Sequence, residues 1–406
     1  MHSKWPARRS PISETLDGSS REREVSDVLI VASSARLLAQ LCADGGRTAD
    51  VMDCFGDIDT RAASRSFSLL PCEAGVGFGP APERLLHAVG NWAHRHPAGH
   101  LLIGSGFEHQ AALLAKLAAL LPLAGNSADS VARCKNPEAL LAACIALGIA
   151  APPILRAMPA NALGTWLRKR EGGCGGEHIQ PAQWPGAHAF DSSTYWQAAA
   201  DGEAVSLLFL TAADTTAALG VHRQYCAPRP GYPYRFAGVV SAPDLSGACQ
   251  SALLDAASRL ARHFALRGLN SLDALWDGSS LHVLEINPRP PASLALQERA
   301  QQAGLLQMHM AAFGLAPAGT PAPTCSQTLN AGMALVYASR TLSIPADFRF
   351  PLGCHDLPTL PHSFAADQPV CSLHTTDGGI EKLRSLVRVL QEHLLPVAGA
   401  ECVYSL

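Results

Sequence analysis

One stretch limits what this chain can fold into more than any other: Leu281-His-Val-Leu-Glu-Ile-Asn-Pro-Arg289. It reads as a strand, because apolar residues run to Ile286 and the prolines at 288 and 290 stop the ladder. Side chains alternate along a strand, which predicts Leu281, Val283, Glu285 and Asn287 on one face and Leu284 and Ile286 on the other. A carboxylate and an amide then emerge side by side at the end of a buried strand. Just upstream, Asn270-Ser-Leu-Asp-Ala-Leu-Trp276 leads into Asp277-Gly278, a hairpin signal. A three-residue loop at Gly278–Ser280 sets Asp273 directly opposite Glu285. Like charges facing each other destabilise a sheet, and a cation between them removes the conflict. Hard oxygen donors in this arrangement suit magnesium, which keeps waters and phosphates in its other positions. The competing reading is a solvated acidic face, and a register slip of one residue would separate the pair.

The rest of the composition leaves room for such a site and narrows its partners. A chain of 406 residues with 48% hydrophobic and 16% charged residues is expected to form two or three cored domains. Formal net charge is −3 and no basic block occurs, which argues against nucleic acid as a partner. The apolar runs are too short or too interrupted for a membrane span. Twelve cysteines are scattered without a Cys-x-x-Cys pair, a pattern that fits reduced thiols in a cytoplasmic protein. Residues 1–24 are polar and basic with no apolar stretch behind them, so they read as a disordered tail and not as a secretory signal.

In chain order, Asp27–Ala32 reads as a buried strand, Ala35–Ala43 as a helix and Thr48–Phe55 as a second strand, a parallel α/β beginning. No Gly-x-Gly-x-x-Gly follows the first strand, so a dinucleotide site is not supported. His100–Gly104 is another buried strand. It runs into Ser105-Gly-Phe-Glu108 at the edge where open α/β sheets place ligands, which makes Glu108 a candidate substrate contact or a helix cap. Asn126–Gly148 holds a helical pattern in which Asn136 and Pro137 mark a start. Lys135 sits just before that start, where an anion such as phosphate would relieve its conflict with the positive helix end. Thr165–Lys169 reads as a strand feeding Arg170-Glu-Gly-Gly-Cys-Gly-Gly176. The glycines 172, 173, 175 and 176 allow backbone amides to wrap phosphate oxygens, with Lys169 to neutralise them. No Gly-Lys-Ser/Thr follows, so this is not a Walker A loop, and a flexible hairpin tip is the alternative.

Tyr195–Gln197 and Ala204–Leu210 flank an Asp201-Gly202 turn and could form a hairpin beside a nucleotide, with Gln197 on an adenine edge or satisfied structurally. Arg235 lies in a loop as a candidate anion contact. Leu245–Gly268 and Ala292–Gly314 read as helices, and Ala316–Thr324 as a Pro/Ala linker. Asn330–Thr341 and Val370–His374 read as strands, and Gly379–Leu395 as a closing helix. His355, Asp356 and His362 lack a metal-ligand spacing.

Taken together, Lys135, the Lys169 strand with its Gly172–Gly176 loop, Asp273 and Glu-Ile-Asn-Pro-Arg at 285–289 resemble the ATP-grasp superfamily. The resemblance runs from about Asp27 to the end. It implies a mixed α/β and α+β fold with a Rossmann-like first domain, a small glycine-loop lid and a second α+β domain. The boundaries implied are 25–125 for the Rossmann-like part, 126–320 for the ATP-grasp domain with its lid at about 155–220, and 321–406 for a C-terminal α/β subdomain. Lys135, Lys169, Gly172, Gly173, Gly175, Gly176 and Gln197 would bind ATP. Asp273, Glu285 and Asn287 would hold Mg2+. Arg289, with Lys169, would serve catalysis by stabilising an acyl phosphate. Glu203 is offset by about one place from an acidic residue that the family often sets on ribose.

A closer resemblance is to ATP-grasp proteins encoded with C1-carrier biosynthesis in methylotrophs. It rests on Phe55-Gly-Asp-Ile-Asp-Thr60, Gly104-Ser-Gly-Phe-Glu108, Gly268-Leu-Asn-Ser-Leu-Asp273 and Glu285-Ile-Asn-Pro-Arg-Pro290. Pro291 departs from the glycine usual there. This resemblance implies a carboxylate–amine ligase of methylofuran or tetrahydromethanopterin biosynthesis, with glutamate and tyrosine or tyramine as small-molecule substrates. A homodimer is left open. The alternatives are a non-catalytic ATP-binding scaffold and an ATP-grasp carboxylase or phosphotransferase.

Overall fold

The computed structural model describes residues 27–73, 77–78, 82–157, 164–182, 192–213, 215–301, 304–315 and 330–406. The expected tail at 1–24 and the linker at 316–324 lie outside the described residues.

The N-terminal part is built on a five-stranded parallel sheet. Its first strand, Val28–Val31, is central, flanked by Ala49–Asp53 and Ser66–Leu69 on one side and by His100–Ile103 and Leu123–Ala124 on the other. The central strand is apolar at every position because both sheet faces are covered. Val28 and Ile30 pack with Leu38 and Leu41 of the helix Arg36–Asp44, whereas Leu29 and Val31 pack with Leu85, Val89 and Leu114 on the opposite face. The first of these clusters also takes in Leu208, Leu210, Leu269 and Leu305, so the parallel sheet shares a core with the larger sheet that follows. At the carboxyl edge the loops are stitched together: Ser33 N donates to Ser105 O (2.7 Å) and Cys54 N to Ser33 O (3.1 Å).

The helical stretch after it is two helices, Ala128–Lys135 and Pro137–Ala146. Asn136 ends the first and caps the second, accepting Ala139 N at 2.8 Å, and proline is tolerated where the next helix begins. Lys135 is therefore held at a junction. A small four-stranded antiparallel sheet comes next, from Ile154–Leu155, Trp166–Arg170, Gln180–Pro181 and Thr194–Ala198. The expected hairpin of Tyr195–Gln197 with Ala204–Leu210 is not formed. Thr194–Ala198 pairs with Trp166–Arg170, and Glu203–Ala212 enters a different sheet. Pattern alone could not separate a tight hairpin from a crossing between two sheets.

This third and largest sheet has nine strands. Leu281–Asn287 is at its edge, followed inward by Gly268–Trp276, Glu203–Ala212, Thr215–Cys226, Phe236–Ser241, Gly332–Ala338 and Pro369–Thr375, with Cys354–His355 at the far edge. Val403–Tyr404 pairs with Gly332–Ala338. Four strands beyond residue 330 thus extend the same sheet, while Leu342–Ile344 and His362–Phe364 pair with each other in a separate two-stranded sheet. The helix Gly247–His263, shorter than the expected Leu245–Gly268, covers one half through Leu253, Ala256 and Leu260, packed on Val205, Leu207 and Ile286. Gly379–Ala398 covers the other half through Leu383, Leu390 and Leu394. The expected continuous helix over Ala292–Gly314 is split into Leu294–Gln301 and Leu305–Ala312, and Gly304 takes a left-handed φ of 57° before the second.

Nine cysteines are free among the described residues, whereas Cys54 is disulfide-bonded, so the expectation of uniformly reduced thiols does not hold at that residue. Among the described residues no helix is long and apolar enough to cross a membrane.

Buried Asn126 joins the parallel sheet to the nine-stranded one. Its Nδ2 donates to Asn270 Oδ1 (2.7 Å) and Pro288 O (3.0 Å), and its Oδ1 accepts Arg267 N (2.8 Å). Asn126→Ala is expected to cost roughly 3 kcal/mol, seen as a lower urea midpoint by tryptophan fluorescence, because it strands buried polar groups on three partners.

Candidate active site

The carboxylate-bearing hairpin has the expected central pairing and an unexpected way of reaching it. Asp273 faces Glu285 in register. The turn, however, is the four residues Asp277–Ser280, since Trp276 pairs with Leu281. Asp277 Oδ1 closes it by accepting Ser279 N (2.8 Å) and Ser280 N (2.7 Å). A one-residue irregularity then restores the register: Ala274 pairs with Val283 while Asp273 pairs with Glu285, leaving Leu284 as the extra residue. The bulge also corrects the expected faces. Leu281 and Val283 join Ile286 in the core under the helix Gly247–His263, and Glu285 and Asn287 turn to the opposite side.

That opposite face carries a polar row. Glu285, Asp273, Ser206, His222 and Ser241 are lateral partners across five adjacent strands. Ser206 and His222 were missed in the sequence, although Ser206 is the one polar residue in the otherwise apolar run Ala204–Leu210. Gln224, also missed, donates from Nε2 to Asp273 Oδ1 (3.0 Å). Asn287 Nδ2 donates to Asp273 Oδ2 (2.9 Å) and Glu285 Oε1 (3.2 Å).

Lys135 does not wait for an anion at the helix start. Its Nζ lies 3.3 Å from Glu285 Oε2 and donates to Asn287 Oδ1 (3.1 Å) and Ile286 O (3.3 Å). Burial works against its charge, but Glu285 and Glu108 outweigh it and raise the lysine pKa. The two facing carboxyls are pushed apart in acidity. Burial and the neighbouring Glu285 charge raise Asp273, while Lys135, His178 and Lys169 overcome the effect of burial and lower Glu285.

Arg289 and Glu108, placed separately in the sequence, meet. Arg289 Nε donates to Glu108 Oε1 (2.6 Å), and Glu108 Oε2 accepts Gly106 N (2.7 Å). Burial opposes ionisation of Glu108, yet Arg289 and Lys135 hold its carboxyl below the usual range. Glu108 thus orients Arg289 from the carboxyl edge of the parallel sheet.

On the small sheet, Lys169 Nζ donates to Gln197 Oε1 (2.6 Å), and both residues are buried. Burial, reinforced by Lys135, pushes the Lys169 pKa down to about 8. Lys135, Gln197, Gly172, Gly173, His178 and Glu285 line one cleft, which places Lys135, Gln197, part of the glycine loop and Glu285 around a common space. His178, unremarked in the sequence, is lowered by burial to about 4 and is neutral at pH 7. The loop needs glycine where it touches its neighbours: a Cβ on Gly172 (φ 64°) would lie 2.3 Å from His109 Cβ, and one on Gly176 (φ 74°) 1.9 Å from Tyr234 O. Gly175 also has a left-handed φ, and the loop's Cys174 is exposed. Arg235 lies elsewhere than expected. It is buried, with its charge matched by Asp367 and Glu177, and is not a free anion contact. Glu203 pairs with Arg223 (2.6 Å).

Two carboxylates and an amide oxygen are hard donors that fit magnesium, and the raised pKa of Asp273 beside Glu285 marks a place where a divalent cation could replace a proton. As placed, the Asn287 amide turns its nitrogen to both carboxylates and its oxygen to Lys135, so for it to hold a cation the amide would have to rotate and Lys135 release it. Among the described residues no group of three or more His, Cys, Asp or Glu is placed to hold a metal, so any such site relies on the asparagine or on a ligand from outside the chain.

Comparison with known proteins gives this architecture its class. Residues 143–293 match the family model of the ATP-grasp domain, and the chain has the mixed α/β ATP-grasp fold. It is similar over 90% of its length to Rhizobium etli pyruvate carboxylase T882A with acetyl coenzyme A, at 14% identity and a TM-score of 0.69, and spans 36% of that chain. It is similar to the biotin carboxylase domain dimer of Hydrogenobacter thermophilus 2-oxoglutarate carboxylase in complex with MgADP, ADP and bicarbonate, at 11% identity and a TM-score of 0.66, covering 90% of this chain and 89% of that one. It is also similar to an L-amino acid ligase from Bacillus licheniformis, at 12% identity and a TM-score of 0.66, covering 91% and 98%. At these identities the likeness is one of fold. No curated protein sequence matches the chain.

Were a nucleotide polyphosphate to bind at Lys169, as the family resemblance implies, the environment of this lysine would make the binding depend on pH. Below pH 8 the free protein carries the charge, and above it a polyphosphate must bring in a proton. Affinity for ATP, measured by calorimetry from pH 7 to 9.5, should therefore fall above pH 8 by up to about tenfold per unit, and Lys169→Arg should flatten that fall.

Proposed function

We propose that the chain is an ADP-forming carboxylate–amine ligase that makes an amide through an acyl phosphate. The observation that carries this reading is the cluster of Lys135, Glu285 and Asn287 at one end of the acidic hairpin, with Arg289 held beside it by Glu108. Gln197, Gly172 and Gly173 are on the cleft's other wall, with Lys169 lying behind Gln197 as its hydrogen-bond partner. Phosphoryl transfer needs positioning and charge neutralisation more than a protein nucleophile, and this set supplies both. Lys135, Lys169 and the amides at Gly172–Gly176 would bind the phosphates, with Gln197 beside adenine. Asp273, Glu285 and Asn287 would hold Mg2+, which when bound neutralises phosphate charge. Arg289, oriented by Glu108, would face the reacting carboxylate and stabilise the charge on the acyl phosphate as the amine attacks its carbonyl carbon and phosphate leaves.

The cleft holds only about 40 Å3. A typical ligand pocket is roughly 300 Å3 or more. A neighbouring cavity of about 540 Å3 is lined by Glu108, Lys135, Arg170 and Gly172. Outward movement of the small sheet would join the two spaces for ATP, and reclosure would shield the acyl phosphate from water.

For substrates, we propose glutamate with tyrosine or tyramine, as in methylofuran biosynthesis. The support is the resemblance at Phe55–Thr60, Gly104–Glu108 and Gly268–Asp273, together with the similarity to an amino acid ligase along nearly its whole chain. A ligase of tetrahydromethanopterin biosynthesis is the neighbouring possibility. The fold's likeness to biotin carboxylases favours carboxylation as the second reading, which would show bicarbonate-dependent ADP release.

The test is ADP release with ATP, Mg2+, glutamate and either amine. Turnover that requires both substrates is expected, and its absence with both amines would sink the substrate assignment. Glu285→Gln should lower that turnover by about 100-fold or more with an unchanged melting temperature. Wild-type activity in this variant would remove the metal role from Glu285.

A further inference from the structure

Arg235 has contacts that the phosphate chemistry does not use. Its side chain is 2% exposed, and a charge so buried must be matched by partners. One side of the guanidinium is fixed: Nη1 donates to Asp367 Oδ1 (3.1 Å) and contacts the Tyr404 hydroxyl, which itself donates to Asp367 Oδ1 (2.7 Å). The rings of Tyr232 and Tyr337 lie 4.0 and 4.9 Å from it. On the other side, Nε faces Glu177 Oε1 at 3.2 Å. Glu177 directly follows Gly176 at the end of the glycine loop.

Two backbone contacts accompany this ion pair. Phe236 N donates to Gly175 O (2.8 Å), and Gly176 lies so close to Tyr234 O that a Cβ would come within 1.9 Å of it. The loop is therefore docked on the segment Tyr232–Phe236 by a carbonyl, a close approach and one carboxylate. The two halves of the ion pair are unequal. Arg235 keeps Asp367, Tyr404 and both rings if Glu177 leaves. Glu177 is 38% exposed, and it faces an Nε that has no aligned hydrogen bond among the described residues. Glu177 can return to water at little cost, which is what a reversible contact requires.

We infer that Arg235 and Glu177 form a latch on the glycine loop. Arg235 is anchored to the last strand through Tyr404 and to Asp367, and Glu177 is the half that disengages when the loop lifts. Both are positioning residues. The latch couples the chain's C-terminal strand to the wall that closes over the cleft. It acts on loop opening itself and so stands apart from which substrates the cleft takes.

Hydrogen exchange of the full-length protein tests this without any assumption about turnover. In Glu177→Gln, amides of residues 171–177 should exchange about fivefold faster, while the helix Ala111–Ala118 is unchanged. Tyr404→Phe, which never touches the loop, should accelerate the same amides by a smaller factor because it loosens the Arg235 anchor. Unchanged loop exchange in Glu177→Gln would overturn the latch. So would an equal acceleration across the whole molecule, which would mean general destabilisation, or a Tyr404→Phe effect confined to the C-terminal strand.

Discussion

Asp273 and Glu285 are held face to face on adjacent strands, where like charges repel. Much of the surrounding architecture answers that repulsion. Lys135, Asn287 and Gln224 each contact one or both carboxylates, and the pair divides its acidity so that one member is driven toward protonation and the other away from it. Such an arrangement is unfavourable for the sheet alone. It becomes coherent when the same oxygens have a cation to hold, which is the role proposed for them.

The site is assembled by three units that reach the hairpin from different directions. The parallel sheet contributes Glu108 from its carboxyl edge, and the core it shares with the large sheet keeps Glu108 within 2.6 Å of Arg289. The junction between two short helices contributes Lys135, whose position follows from the Asn136 cap and Pro137. The small sheet contributes Lys169, Gln197 and the glycine loop, and its loop is fastened to the main body partly through Arg235. The first two are welded in place by buried side chains. The third is docked through a loop carbonyl, the contact of Gly172 with His109, and the ion pairs Arg235–Glu177 and Arg156–Glu138, whose carboxylates are partly exposed, which is the pattern expected of the part that moves.

Local features were legible in the sequence. The Asp277-Gly278 turn and the alternation on either side of it fixed the Asp273–Glu285 pairing, and glycines at 172–176 announced a loop with close backbone contacts. What misled was compensation: the turn is one residue longer than expected, and the Leu284 bulge takes up the difference, so the pairing survives while Leu281 and Val283 change faces. Period alone also ran the helix of 292–314 through Gly304 and joined Gln197 to the wrong sheet. Long-range partners were not legible. Lys135 and Glu285 are 150 residues apart and Glu108 and Arg289 are 181 apart, and nothing local in either segment specifies the other. Arg235 looked available for an anion because its matching charges, Glu177 and Asp367, come from two distant segments.

The carboxylate pair as a magnesium clamp on a nucleotide can be tested most directly by calorimetric titration of ADP with and without Mg2+, comparing the wild type with Asp273→Asn/Glu285→Gln. A clamp predicts that Mg2+ strengthens ADP binding to the wild type by about tenfold or more and that the double variant loses this gain while still binding magnesium-free ADP. A double variant that keeps the full magnesium enhancement would contradict the assignment.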